Sequence, residues 1–251
     1  MIQSLDRGLQ ILFILSEHRS RGVTELADDL QVNKSTVFRL LDTMRMRGLV
    51  QQDEVTAKYR LGIGILQISD GLIKNLDIIG IAKPVLKQLM AATKESAHLC
   101  TLSEDKVYIV DEVKSNYVMK VSAAIGQEEP IFCSSVGKSI LAYLPEDKID
   151  RILSSMEFIP YTKKTKMKKD ELIAELAQIR QQGYALDDEE LSEGVRCIAA
   201  PIFNFKGQVK NSIGISGPSL RLDLNNLTPY IENIKIAAKN ISYGIGYRNG
   251  R

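Results

Sequence analysis

Two apolar stripes of helical period, separated by a turn of three residues, constrain this chain more than any other feature. TELADDL (24–30) sets Leu26, Ala27 and Leu30 on one face, and Gln31-Val32-Asn33 form the turn. VNKSTVFRLLDTMRMRGLV (32–50) then places Val37, Leu40, Leu41 and Met44 at i, i+3, i+4 and i+7. At about 100° per residue those four share one side of a helix spanning 33–47. A short helix, a tight turn and a second helix are the parts of a helix-turn-helix. Ser35, Arg39 and Asp42 fall opposite the second stripe, with Thr36 on its flank and Asn33 placed to cap the helix. Free N–H groups beside Lys34, Ser35 and Thr36 suit a phosphate, and Arg39, one turn on, can reach guanine edges in a major groove.

The flanking segments extend this reading. SLDRGLQILFILSEH (4–18) has apolar residues at 5, 9, 12, 13 and 15 and reads as a helix, with Ser4 as its cap and Gly22 breaking it. After Gly48, LVQQDEVTAKYRLG reads as two short strands around a polar tip from Asp53 to Ala57, with Lys58 and Arg60 near the tip or on the return strand. That ribbon makes the arrangement winged. The whole chain carries only +2, from 33 basic and 31 acidic residues, so overall charge does not point to nucleic acid. Residues 33–60 alone hold six basic residues against three acids. A solvated helix face would carry similar charges, but three elements in this order favour DNA. Arg7, on the first helix, is a further phosphate contact.

At 251 residues the chain is long for a single core. The expected domains are 1–64 (winged helix-turn-helix), 65–84 (linker helix, apolar over 65–82 and punctuated by Pro84) and 85–251. In the last, the pattern predicts a helix over 85–94, a hairpin AHLCTLSEDKVYIVDEV and a strand YVMKVSAA. It also predicts a short helix in SVGKSILAYLP, an amphipathic helix KDELIAELAQIRQQG capped by Gly183, and a second hairpin around NFKG. Pro201 marks an edge or bulge in that hairpin, and LTPYIENIKIAAKNISYGIGY closes the chain as a helix. Uncharged runs such as GLQILFILS, nine residues long, fall far below the roughly 18–20 of a membrane span. With an acid at position 6 and no basic stretch before an apolar core, the N-terminus does not read as a signal peptide. Three widely spaced cysteines, an odd number, argue for a reducing cytoplasm.

Several motifs suggest other chemistry and fall short. SVGKS lacks the P-loop glycine five residues before its Gly-Lys pair, where Phe132 stands. Cys100, Cys133, Cys197 and His98 have no zinc-ligand spacing and read as core, although Cys133 and Cys197 could share a pocket wall. Histidine occurs only at 18 and 98, and no GxSxG elbow exists, so neither an enzyme nor a cofactor is expected. In DDEE (187–190), Asp187 is the acid expected to face a pocket and the others to be solvated. KKTKMKK (163–169) reads as a solvated loop.

RGLQILFILSEH, ELADDLQVNKSTVFRLLDTMRMRGLV and YRLG resemble the N-terminal domain of the IclR (isocitrate lyase regulator) family of bacterial transcription factors. CSSVGKSILAYL, ELAQIRQQGYALDDEE, GVRCIAAPIFNFKGQV, ISGPSLR and AAKNISYGIGY continue the resemblance to the end of the chain. It implies an α+β fold: a winged helix-turn-helix, a linker helix, and a GAF-like effector domain with an antiparallel sheet flanked by helices. It implies a regulator, and we expect a repressor, of double-stranded operator DNA that dimerises through the DNA-binding domain and often forms tetramers. A small organic acid would bind the C-terminal domain, in a pocket lined by Ser134, Ser135 and Val136, Asp187, Cys197 and Ser216. Two positions depart from the family pattern: Cys133 stands where members commonly have histidine, and Gly214 where some place a second pocket serine.

Overall fold

The computed structural model describes residues 2–75 and 77–248. The chain divides between residues 76 and 77 into two compact units, each with its own core.

The N-terminal unit contains α1 (Gln3–Glu17), α2 (Val23–Leu30), α3 (Lys34–Met46), β1 (Val50–Gln52), β2 (Tyr59–Leu61) and α4 (Gly64–Asn75). Ile11 and Leu15 of α1, Leu26 and Ala27 of α2, and Val37, Leu41 and Met44 of α3 form one core, closed by Val50 and Tyr59 of the wing. Leu30 and Leu40 pack at its edge, only partly buried. The tight turn exists because Gln31 takes a left-handed conformation (φ 51°), so that the Gln31 and Val32 N–H groups satisfy the last carbonyls of α2. Two caps differ from expectation. Ser4 lies inside α1, whose cap position is Ile2, and Asn33 occupies the cap of α3 without a side-chain bond. Burial of the apolar stripes therefore fixes both helix starts. Gly22 does not end α1, which stops at Glu17; it begins α2, donating its N–H to Glu25. Arg21 instead bridges to Tyr59 and widens the two-stranded wing.

The C-terminal unit holds a six-stranded sheet. Its strands are β3 (Ser96–Ser103), β4 (Lys106–Val113), β5 (Glu128–Glu129), β6 (Ala185–Asp188), β7 (Val195–Phe203) and β8 (Val209–Pro218), in the order β5-β4-β3-β8-β7-β6 with every pairing antiparallel. Strand alternation sends Ala97, Leu99, Ile198, Ala200, Ile213 and Ile215 to one face, against α5 (Asp77–Thr93) and α9 (Thr228–Gly244). The other face packs on α6 (Ser135–Leu141), α7 (Glu146–Ser155) and α8 (Lys169–Gln182).

Pro84 does not punctuate the chain as expected: it lies inside α5. Its ring removes one N–H donor, but Ile78, Ala82, Leu86 and Leu89 bury a continuous stripe that carries the helix through. YVMKVSAA forms no strand. Val118 and Met119 are exposed, so the burial that would hold a strand there is missing, and β4 gains only the two residues of β5 on that edge. The helix α7, with Ile149, Ile152 and Leu153 buried at i, i+3 and i+4, was not anticipated. At Pro201 β7 does run past the end of β6, whose pairing stops at Ala185↔Ala199, and a bulge follows between Ile202 and Phe203.

Candidate functional site

In the N-terminal unit the second helix of the helix-turn-helix hides Val37, Leu41 and Met44 and leaves Lys34, Ser35 and Arg39 exposed, with Thr36 half-buried. Among the described residues no ion pair engages Lys34 or Arg39, whereas Arg45 is tied to Asp42 at 2.7 Å. Arg7, Asn33 and Thr36 line one hollow at the helix-turn-helix turn, so α1 delivers its arginine to the start of α3. Lys58 is held back by the fold: its Nζ lies 3.3 Å from Glu25 Oε1. The wing tip is pre-shaped by Asp53, whose Oδ1 accepts the Val55 and Thr56 N–H groups and the Thr56 hydroxyl. Arg60, paired in register with Gln51, is exposed, as is Arg47. The sequence reading did not put either among its site residues, although a β2 that buries Tyr59 must turn Arg60 outward.

In the C-terminal unit Asp187, Cys197 and Ser216 are direct cross-strand partners on β6, β7 and β8, and they share a face with His98 and Gly214 two residues away. They line a cavity of about 460 Å³ together with Ser134, Ser135 and Val136 from the start of α6. The six residues picked from the sequence thus meet at one cavity, but their hydrogen-bonding capacity differs. Ser134 is committed to the fold, donating to the Pro130 carbonyl and accepting the Gly137 N–H at the cap of α6. Ser216 donates to Cys197 Sγ at 3.1 Å, and no hydrogen bond of the described residues engages the Ser135 hydroxyl. Asp187 Oδ1 accepts the Glu190 N–H at 2.7 Å and the Leu191 N–H at 3.3 Å.

The wall also contains residues that the sequence reading did not choose, among them His98, Gln127, Glu128, Glu129 and Tyr161. They come from β3, from β5 and the residue before it, and from the segment between α7 and α8, which lie far from β6 in sequence and meet at this wall only through the tertiary fold. Burial lifts Asp187 to about 6 and, with the Asp187 charge beside it, Glu129 to about 7. Burial pushes His98 down to about 4, so its ring is neutral at pH 7, and raises the Cys197 thiol well above its ordinary range. Cys133 does not share this wall; it is buried in the core and pushed up to about 12 by burial and the nearby Asp187.

Two expectations about charge are overturned. Most of DDEE is not solvated, and KKTKMKK, though a loop with Lys163, Lys164, Met167 and Lys168 exposed, is not free in solvent at its middle, where it grips DDEE. Lys164 pairs with Asp188 (3.1 Å) and Glu189 (3.0 Å), Lys166 with Glu175 (3.0 Å) and Glu190 (3.4 Å), and the Thr162 and Thr165 hydroxyls donate to carbonyls of 189 and 190. At the centre lies Lys138, the lysine of SVGKS, with no exposed surface, 2.5 Å from Glu190 and 2.8 Å from Glu175. Two acids from distant segments pair this buried lysine, and neither is adjacent to it in sequence.

Among the described residues no group of three His, Cys, Asp or Glu side chains is placed to hold a metal ion, and no helix is long and apolar enough to cross a membrane.

Comparison with known proteins agrees in both units. Residues 4–54 match the IclR helix-turn-helix domain, and residues 71–243 match the bacterial transcriptional regulator IclR C-terminal domain. The chain is 34% identical over 248 residues to the HTH-type transcriptional regulator KdgR of Escherichia coli, covering 99% of this chain and 94% of that protein. It is 33% identical over 248 residues to the transcriptional repressor IclR of the same organism, covering 98% and 90%. The crystal structure of Thermotoga maritima IclR superposes with a TM-score of 0.83 at 25% identity, over 98% of this chain and all of that one. These relatives are transcriptional regulators, not enzymes.

Proposed function

We propose that this chain, which belongs to the IclR family of bacterial transcriptional regulators, is a cytoplasmic repressor whose hold on operator DNA is set by a small carboxylate bound in its C-terminal domain. Membership makes it a DNA-binding helix-turn-helix protein with an effector domain. The sign of regulation, the chemistry of the effector and the roles of single residues are our reading.

In that reading a homodimer, free to pair into a tetramer, sets two copies of α3 in successive major grooves of a pseudo-palindromic operator. Arg39 reads bases. Asn33, Lys34, Ser35 and Thr36 hold phosphates, Arg7 adds one from α1, and Lys58 adds one from the wing once it exchanges Glu25 for the backbone. Residues 1–64 act as the DNA-binding domain, 65–84 as the linker and 85–251 as the effector domain. The effector lies among Ser134, Ser135, Val136, Asp187, Cys197 and Ser216, with Ser134 shaping the wall rather than bonding to the ligand. It changes occupancy only through its differential affinity for two arrangements of the DNA-binding domains, typically about 1–3 kcal/mol of coupling.

The observation that carries this reading is that Lys34 and Arg39 of α3 stand exposed, with no ion pair among the described residues, over a buried apolar face. Fluorescence anisotropy on DNA from upstream of the protein's own gene, at two salt concentrations with random duplex as competitor, tests it. We expect binding that survives competitor and weakens with salt. Arg39→Ala should lose about ten- to a hundredfold in operator preference, the usual worth of a bidentate base contact, at unchanged melting temperature. An operator preference in the variant equal to that of its parent would remove Arg39 from base reading.

A further inference from the structure

The charge of the cavity wall is one-sided. Glu128, Glu129 and Asp187 line it, and no lysine or arginine does. The neighbouring cations are already spent elsewhere: Lys106 is 2.8 Å from Glu128, Lys138 is enclosed by Glu175 and Glu190, and Lys164 and Arg196 are held by Asp188. An incoming carboxylate therefore finds no lysine or arginine among the described residues that line the cavity. The two inner acids also differ. Asp187 accepts two backbone N–H groups, which favour its ionised form. No hydrogen bond of the described residues engages the Glu129 carboxyl, which is largely buried at the wall between this cavity and a second one beyond Tyr161.

We propose that Glu129 is a specificity-determining residue: it takes up a proton as the effector enters, so that the site accepts a hydroxylated monocarboxylate and refuses a dicarboxylate. This rests on the effector reading above. The proton comes from solvent and ends on Glu129, whose carboxyl O–H then donates to a ligand carboxylate oxygen. Asp187 stays ionised and accepts a ligand hydroxyl, and Ser135 adds a donor free of other partners. A second ligand carboxylate would sit near Glu128 and Asp187 with no lysine or arginine lining the cavity to offset it.

The groups facing Glu129 support one proton at this place. His98 on β3 is neutral, with its pKa near 4, and Cys100, Cys133 and Cys197 are thiols raised by burial. Burial also lifts Tyr161, and Glu128 is paired with Lys106. Asp187 is the one charge left close to Glu129, and Glu129 itself titrates near 7. Protonation is thus available at neutral pH and is lost as pH rises, so effector affinity falls above pH 7, approaching tenfold per unit.

The test is isothermal titration calorimetry on the full chain with two matched pairs of probes: gluconate against glucarate, and glycerate against tartronate. Each is run at one pH in two buffers of different ionisation enthalpy, and again at pH 6 and 8. We expect a monocarboxylate to bind with net proton uptake and its dicarboxylate partner to bind at least tenfold more weakly. Glu129→Gln, a neutral donor of the same shape, should keep monocarboxylate binding without uptake and with little pH dependence. A dicarboxylate binding as tightly as its partner, binding without proton uptake, or a pH profile unchanged in Glu129→Gln would each overturn the proposal. Silence from every probe would overturn the ligand class and leave operator binding standing. A monocarboxylate that binds with uptake yet leaves operator anisotropy unmoved would support Glu129 and remove the regulatory reading instead.

Discussion

Gly214 pairs directly with His98 between β8 and β3, and a Cβ added to it would lie 2.5 Å from His98 Nε2 and 3.0 Å from Val136 Cγ1. The glycine that departs from the family pattern is therefore not a missing hydroxyl but the space that the histidine ring occupies. Gly214→Ser should cost about 1–3 kcal/mol, the usual penalty for overfilling a packed region. Thermal denaturation would show it, and His98→Ala in the same chain should recover most of the loss. No recovery would mean that the backbone at Gly214, not the ring, sets the constraint. Sequence alone shows a histidine at 98 and a glycine at 214 but not their contact, because 116 positions of chain separate two residues that meet only when β3 and β8 pair.

On the scale of elements, α6 is the hinge between chemistry and core. Its first turn lines the cavity, its Gly137 presses against Ile131, where a Cβ would meet backbone at 2.5 Å, and its Lys138 anchors the 187–190 segment and the 162–166 strap through buried acids. Lys138→Met leaves Glu175 and Glu190 facing Lys166 alone. Removing one partner of a buried ion pair typically costs about 3–5 kcal/mol. Hydrogen exchange read by mass spectrometry should show lost protection in α6 and α8 with α1–α3 unchanged, whereas Lys164→Ala, at a half-exposed pair, should cost at most about 1 kcal/mol. Equal small effects of both would mean that the buried network is not what holds the strap. Helical period made α3, α8 and α9 readable in advance, and hairpin turns did the same for β3–β4 and β7–β8. YVMKVSAA misled because its apolar residues, though patterned like a strand, have nothing to bury against.

At the scale of the whole molecule, the N-terminal unit has one core cluster and the C-terminal unit has one on each face of its sheet, and no element contributes to clusters of both units. Along α1, Leu5, Leu9 and Phe13 recur at i, i+4 and i+8 and remain exposed, although Ile11 and Leu15 on the same helix are buried. A contiguous apolar stripe on a DNA-binding domain is where we expect the proposed two-fold pairing to form. Leu9→Glu should then shift the sedimentation of the free protein towards monomer and weaken operator binding at least tenfold, since half-site contacts would no longer add. A Leu9→Glu protein that still sediments as the parent does would place the pairing on another surface.

The sequence by itself determined most of the local elements, the helix-turn-helix with its wing, the α+β class and the family, because each is written in short-range periodicity, turn residues and contiguous motifs. It also indicated the six residues that meet at one cavity of the C-terminal unit, though only through resemblance. Tertiary structure alone decided the character of that cavity: an acid-only wall, a neutral histidine over a glycine, an unpartnered Glu129, and basic and acidic runs that neutralise each other. Charge in a folded protein is set by what long-range pairing leaves exposed or desolvated, and no count of lysines and acids along the chain contains that information.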